Sequence, residues 1–394
     1  MRKIRVLVVD DSVVIRKIVT DALSADPDID VVGVAANGRI ALAKLPHLNP
    51  DLVTLDIEMP EMDGLQTLAA LRQAQVKLPV IMFSTLTQRG ASATLDALAL
   101  GASDYVTKPA NVGNVTAGVQ RIRDELIPKV KTFCAHLLKG ETRTLRREGG
   151  SPGAIVPVSP PTLAGATVFT PQCWPPHAGG KIEVVAIGVS TGGPNALAAL
   201  FPQWPASFPV PIVVVQHMPP MFTKLLADRL SGKSAIRVSE GQSGMPLLPA
   251  RAIVAPGDFH MLVEQDVTGV RVKLQQGPPE NSCRPAVDVL FRSVAHVFGP
   301  RALGVVLTGM GQDGLRGCEA IKAAGGQVFV QDEASSVVWG MPGIVAKAGL
   351  ADKILPLDQL GIEIFRRAEE GRTASTASGA KSPEGQVNCA AQQR

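Results

Sequence analysis

What most constrains the fold of this chain is a repeated alternation. Short unbroken apolar runs are each followed by a stretch with apolar residues at helical spacing. In the first part the runs fall at residues 4–9, 31–35, 52–55, 80–83 and 105–107, with helical patterns such as 65–71 and 91–100 between them. A strand that is apolar at every position is buried on both faces, which happens when helices cover both sides of a parallel sheet. The expectation is an α/β fold with a doubly wound parallel sheet. A helix over 115–138 should follow, with Ile122, Leu126 and Val130 on one face and a kink or break at Pro128. From 140 to 180 the chain is rich in Gly, Pro, Ser and Thr and loses its periodicity, which reads as a mobile linker. The alternation resumes at Lys181, with strands expected at 184–188, 212–216, 252–255, 270–274, 303–307 and 327–330. Helices are expected at 196–201, 222–230, 286–298 and 315–324. Strand patterns without good helices fill 237–274, so a hairpin or mixed-sheet excursion belongs there. The organisation is thus a first α/β domain over 1–125 and a helix with a Gly/Pro-rich linker over 126–180. A second, Rossmann-like, mixed-sheet domain spans 181–370, and a small-residue-rich tail over 371–394 reads as disordered.

Lys and Arg exceed Asp and Glu by 39 − 35 = 4, too small an excess to point to nucleic acid. The five cysteines, Cys134, Cys173, Cys283, Cys318 and Cys389, are widely spaced without a CxxC pair. That pattern reads as reduced thiols and not as a disulfide framework or zinc site. The basic, then apolar, N-terminus is broken by Asp10 and Asp11, as in a strand and unlike a signal peptide. No apolar stretch approaches the ~20 residues of a membrane span. A soluble, cytoplasmic protein without membrane insertion is expected.

Chemistry-bearing residues fall where such sheets build sites, just past strand ends. Asp10 and Asp11 end the first strand, Asp56 the third and Ser84 the fourth, while Lys108 ends the fifth. Three carboxylates repel one another and favour a hard cation; Mg²⁺ suits, because it keeps waters for a phosphate. Asp56 would be the nucleophile forming an aspartyl-phosphate, with Lys108 as a point charge and the Ser84 hydroxyl as a donor to the phosphate. Helix capping would account for Asp11 or Ser12 alone, but not for Asp56, Ser84 and Lys108 on the same rim.

The second domain offers Gly188-Val189-Ser190-Thr191-Gly192-Gly193-Pro194 after a strand, formally a G-x-S-x-G turn. Alone, this turn could also cradle a nucleotide phosphate. His217 follows the next strand, and Asp313 lies in the glycine-rich turn after the strand at 303–307. Serine needs a base to take its proton, and a carboxylate fixes the imidazole tautomer, so the three together suggest a hydrolase. The order Ser, His, Asp differs from that of α/β-hydrolases, implying a different fold with convergent chemistry. His47, His136, His177 and His296 read as surface or packing residues; His260 is open between packing and lining the site. A non-catalytic output module holding a nucleotide or partner is the rival reading. A DNA-binding output lacks a helix-turn-helix pattern or basic stripe.

The segments VLVVDDS, LVTLDIEMPEMDG, PVIMFS and DYVTKP resemble the receiver domain of bacterial two-component response regulators. The resemblance implies Asp56 as phosphoacceptor, with Asp10, Asp11, Asp56 and the Glu58 backbone carbonyl holding Mg²⁺. It also implies a switch made of Ser84 and Tyr105, with Lys108 beside it. IGVSTGGP, VVQHMP, APGDFHM, RPAVDVLF and LTGMGQDG resemble the catalytic domain of the chemotaxis protein-glutamate methylesterase family, CheB. That resemblance implies hydrolysis of glutamate γ-methyl esters on methyl-accepting chemoreceptors, and in many members deamidation of receptor glutamines. It makes Ser190 the nucleophile, His217 the base and Asp313 the orienting acid, with the backbone at Thr191 and Met310 as the oxyanion site. It implies no cofactor at the esterase site and a chemotaxis-type histidine kinase as phosphodonor. The receiver would cover the esterase rim until phosphorylated.

Overall fold

The computed structural model describes residues 2–108, 115–138 and 180–372. The expected linker and tail, the segment 166–169, His177, Cys173 and Cys389 lie outside the described residues.

The first part runs β1 (Ile4–Val9), α1 (Val13–Ser24), β2 (Ile29–Ala35), α2 (Gly38–Leu48), β3 (Leu52–Asp56), α3 (Gly64–Gln73), β4 (Val80–Ser84), α4 (Gln88–Ala99) and β5 (Asp104–Thr107). Helices α5 (Val115–Phe133) and α6 (Ala135–Leu138) follow. The five strands form one sheet in the order β2-β1-β3-β4-β5, parallel throughout. The central strand β3 is buried at every position, as its unbroken apolar run requires. Local chemistry sets the helix starts: Ser12 caps α1, and Asp63 with Gln66 forms a capping box at α3. The break expected at Pro128 is absent, since α5 continues through it to Phe133. Ile122, Leu126 and Val130 are buried at four-residue spacing along that helix, and their packing outweighs the one lost backbone bond.

The second part runs β6 (Val184–Val189), α7 (Gly193–Leu200), β7 (Ile212–Gln216), α8 (Phe222–Lys233), β8 (Arg237–Glu240), β9 (Arg251–Val254), β10 (His260–Asp266) and β11 (Gly269–Gln275). It continues with α9 (Val287–Phe298), β12 (Ala302–Val306), α10 (Leu315–Ala323), β13 (Gln327–Gln331), α11 (Met341–Lys347), β14 (Lys353–Leu355) and α12 (Leu357–Glu369). Seven strands make one sheet in the order β14-β13-β12-β6-β7-β9-β8, and every pairing in it is parallel. The antiparallel pairing expected within 237–274 occurs outside that sheet, as the separate β10-β11 hairpin. The chain starts this sheet in the middle, at β6, builds outward through β7, then returns to β12 on the other side. That reversal leaves a crevice at the C-terminal ends of β12, β6 and β7.

The two halves share one apolar cluster. Ala91, Leu95 and Leu98 of α4 belong to the same buried group as Leu197 of α7 and Phe222 and Leu226 of α8. Tyr105 stacks on Phe222, with centroids 5.1 Å apart and planes at 6°. Arg229 pairs with Asp96, and the Asn195 side chain donates to the Leu98 carbonyl at 2.7 Å. The first half therefore docks through α4 and β5, with Thr132 of α5 reaching Met310. Among the described residues, no helix is long and apolar enough to cross a membrane.

Candidate functional site

The strand ends bring the first-half acids together. Asp10 follows β1, Asp56 ends β3 and Lys108 follows β5; carboxylate oxygens of Asp10, Asp11 and Asp56 lie within 4.8 Å of one another. Asp11 is exposed, whereas Asp10 and Asp56 are buried. Lys108 Nζ bridges the buried pair, 2.9 Å from Asp10 and 2.7 Å from Asp56. Burial, with Asp10 as neighbour, pushes the Asp56 pKa up to about 6. Burial likewise raises that of Asp10. One lysine does not neutralise three carboxylates, so the donor set fits a hard divalent cation. A Cβ on Gly64 would stand 2.1 Å from the Asp56 carbonyl oxygen, so only glycine lets α3 start this close. Glu58 is exposed, and its N–H lies 3.4 Å from Asp56 Oδ1.

Ser84 is fully buried at the end of β4, and its hydroxyl is spent on α4. It donates to the Thr85 and Gly90 carbonyls, both at 3.2 Å, and accepts from Thr94 Oγ1 at 2.7 Å. Tyr105 is engaged at the contact with the second half. Besides stacking on Phe222, its ring lies under Lys129 Nζ at 5.4 Å, and its carbonyl accepts from the same lysine.

In the second half, Ser190 follows β6, His217 follows β7 and Asp313 lies beyond β12, on three adjacent parallel strands. His217 Nε2 is 2.8 Å from Asp313 Oδ2. The carboxylate therefore holds Nε2 and leaves Nδ1 as the basic nitrogen, the reverse of the Ser-His-Asp template. Nδ1 faces the Cys283 thiol, 3.6 Å from Sγ; among the described residues it makes no hydrogen bond to Ser190. Burial disfavours the imidazolium, but the hydrogen bonds to Asp313 and Cys283 outweigh it and hold the His217 pKa above its ordinary value.

Burial alone would raise the Asp313 pKa. The bond to His217 and the amides of Val287 and Asp288 reverse this and hold it below the usual carboxylate range. Asp313 Oδ2 accepts from Val287 N at 2.6 Å as well as from His217. Its Oδ1 accepts from Asp288 N, Gly314 N and Asn281 Nδ2, each at 3.0 Å. His217, Cys283 and Asp313 have ligand-type atoms within 4.8 Å of one another, but these five bonds use the acceptor capacity of Asp313. Two donors, Cys283 and His217, fall short of the three or four protein ligands of a zinc site.

The Ser190 turn is pinned from several sides. Ser190 N donates to Thr308 O at 3.0 Å, and Gln216 Nε2 donates to Ser190 O at 2.9 Å. Gly192, at φ 79°, makes the turn into α7. The amides of Thr191 and Met310 have no intramolecular acceptor among the described residues, as oxyanion donors require. The first half touches both residues: Thr191 Oγ1 donates to Asp104 Oδ2 at 2.9 Å, and Thr132 Oγ1 lies 3.2 Å from Met310 Sδ. Asp104 Oδ2 also pairs with Lys129 at 2.8 Å.

His260 is a packing residue. It is buried, with Nε2 at 2.9 Å from the Pro278 carbonyl and Nδ1 accepting from Ala286 N at 3.3 Å. Sequence reasoning did not find Asp104, Asn281, Cys283 or Asp288. Their places in the site come from contacts between distant segments; Asp104 and Asp288 lay in segments that stood out, DYVTKP and RPAVDVLF, but neither residue did.

Comparison with known proteins gives the family. Residues 185–364 match a family profile described as CheB methylesterase, and residues 6–120 one described as response regulator receiver domain. A protein-glutamate methylesterase/protein-glutamine glutaminase of Trichodesmium erythraeum is 54% identical over 374 residues, covering 93% of this chain and 99% of the relative. One of the same name from Nocardioides sp. is 53% identical over 383 residues, covering 97% of this chain and 100% of the relative. The crystal structure of the Thermotoga maritima CheB methylesterase catalytic domain is 40% identical, with a TM-score of 0.46, covering 48% of this chain and 99% of that one.

Proposed function

The chain belongs to the CheB methylesterase family, and on that premise we propose that it is a phosphorylation-activated serine hydrolase that demethylates glutamate γ-methyl esters on chemoreceptors. The observation that carries this reading is the 2.8 Å bond from His217 Nε2 to Asp313 on the rim that also presents Ser190. His217 Nδ1 takes the Ser190 proton as Oγ attacks the ester carbonyl. The oxyanion of the tetrahedral intermediate is met by the Thr191 and Met310 amides. His217 returns its proton to the departing methanol, then deprotonates the water that cleaves the acyl-enzyme. Asp313 stays ionised and holds the imidazole throughout. A glutamine amide follows the same route with ammonia leaving, so deamidation needs no additional residue, and the esterase site needs no cofactor.

Control belongs to the first half, a receiver domain over residues 1–125, joined by 126–180 to a catalytic domain over 181–370, with 371–394 as a tail. Asp56 is the phosphoacceptor. Asp10, Asp11 and Asp56, with the Glu58 carbonyl, would hold Mg²⁺, which when bound offsets their charge and that of the phosphate. The partners are methyl-accepting chemoreceptors and a chemotaxis-type histidine kinase, in the cytoplasm. The docked receiver covers the rim and grips Thr191 and Met310 directly. Phosphorylation draws Lys108 and the Ser84 hydroxyl toward Asp56, taking Ser84 from Gly90 and Thr94. That loosens α4 and Tyr105 from their partners and frees the rim.

The test is Ser190→Ala assayed for methanol release from methylated receptor membranes. A hydrolase loses turnover by orders of magnitude, whereas a binding module is unchanged.

A further inference from the structure

Asp313 does not stand alone. Asp288, only 1% exposed, faces it from the first turn of α9. Two carboxylates this close in a buried pocket repel each other, and Asp313 is among the groups that push the Asp288 pKa up, after burial itself. One backbone amide, Gly314 N, donates to Oδ1 of both acids, and one side chain bridges them. Asn281 Nδ2 donates to Asp313 Oδ1 at 3.0 Å and to Asp288 Oδ2 at 2.9 Å. The other oxygen of Asp288 accepts from Gly314 N at 3.0 Å and Gly317 N at 2.6 Å, fixing the backbone just after Asp313.

The loop that carries Asn281 is braced for this. Glu280 and Cys283 exchange backbone hydrogen bonds at 3.1 and 2.8 Å. Arg292 of α9 grips the Glu280 carboxylate with two bonds, 2.7 and 2.6 Å. His260 ties down both sides of the loop through Pro278 O and Ala286 N. Asn281 and Ser282 both adopt left-handed backbone, at φ 52° and 62°, a conformation that asparagine tolerates better than most residues. The bracing holds the Asn281 amide between the two acids.

We propose that Asn281 and Asp288 are positioning residues for the hydrolysis, the amide bridging the two carboxylates so that Asp313 stays aimed at His217 Nε2. The inference rests on the reading of Ser190, His217 and Asp313 as a catalytic triad. Asn281 touches neither nucleophile nor base and acts through Asp313. Without the amide, Asp313 Oδ1 keeps only its backbone donors, Asp288 N and Gly314 N, and the repulsion between the two acids turns the carboxylate off the imidazole.

The experiment compares full-length wild type with Asn281→Ala, Asn281→Asp and Asp288→Asn, using phosphodonor, Mg²⁺ and methylated receptor membranes. It reads kcat, KM, melting temperature and the pH profile. Asn281→Ala should lower kcat about 10- to 100-fold with KM and melting temperature little changed. Asn281→Asp matches the native side chain in size and remains informative where the alanine variant does not fold. It places a fourth carboxylate beside Asp288, Asp313 and Glu280, with Arg292, His217, His260 and Cys283 also near it. Its rate relative to wild type should recover in part as pH falls, because a protonated acid can donate one of the two bonds that the amide made. The same ratio for Asn281→Ala should stay flat. Asp288→Asn should lower kcat without changing KM. An unchanged kcat in the Asn281 variants, a loss confined to KM, or equal pH ratios for the two substitutions would overturn the inference. Ser190→Ala in the same assay separates the two levels. Wild-type turnover that survives that change refutes the triad itself; turnover that needs Ser190 yet ignores Asn281 refutes only the bridge.

Discussion

Asp104→Ala should switch the unphosphorylated enzyme on. Asp104 and Thr191 are 5% and 7% exposed, and their bond is one of the few polar contacts across the docked surface. A hydrogen bond to a charged acceptor contributes about 1.5–3 kcal/mol. Removing the carboxylate also leaves the Thr191 hydroxyl without its acceptor in the docked state, whereas that hydroxyl finds water when the receiver swings away. Lys129 keeps the Tyr105 carbonyl, so β5 retains one of its ties to α5. A loss of about 2 kcal/mol changes the ratio of docked to open molecules roughly 30-fold, at 1.4 kcal/mol per tenfold. Methanol release without phosphodonor should rise by up to about that factor, with the phosphorylated rate as its ceiling. The fully stimulated rate should hardly change, because Asp104 takes no part in the chemistry. A basal rate equal to wild type, with stimulation and melting temperature intact, would refute the claim that this contact holds the closed state.

Three further outcomes follow from the same geometry. Activity should rise with pH as His217 loses its proton, with a midpoint above the ordinary histidine value of 6.5, and Cys283→Ala should move that midpoint down; a profile flat from acid to neutral would remove His217 as the base. Gly309→Ala should cut turnover at least about tenfold while leaving the receiver phosphorylatable, because the new Cβ would meet Met341 Sδ at 2.5 Å and Ser190 Cβ at 2.8 Å; near-native kinetics would show that the nucleophile turn tolerates displacement. Mg²⁺ at ten times its Kd should stabilise the receiver by about 1.4 kcal/mol, seen as a rise in its melting temperature that EDTA reverses and Asp10→Ala abolishes.

Most of the architecture was legible because burial on both faces writes itself into a strand as an unbroken apolar run. β6, β7 and β12 could be read in this way, and with them the positions of Ser190, His217 and Asp313 just past the strand ends. β14 spans Lys353–Leu355 and carries no run long enough to read. β10 ends in Glu264, Gln265 and Asp266, all exposed, so only its partner β11 showed a pattern. Pro128 misled because local propensity gives way to the buried stripe of Ile122, Leu126 and Val130. The site was legible in its charges and not in its supports. Nothing local pairs Asp104 with Thr191, or Asn281 with Asp313, and these bonds exist only once the sheets are built. The swapped roles of the two His217 nitrogens were also beyond the sequence, since they depend on how the ring is turned between Asp313 and Cys283.

The central claim is that one chain couples an aspartyl-phosphate switch to a serine esterase. The direct measurement is methanol release from methylated chemoreceptor membranes by wild type, Asp56→Ala and Ser190→Ala, each with and without Mg²⁺ and a small phosphodonor. Wild type should release methanol at a rate that phosphodonor increases, Asp56→Ala at a low unresponsive rate, and Ser190→Ala none under either condition. Release that phosphodonor does not alter in wild type, or that survives the loss of Ser190, would contradict the claim.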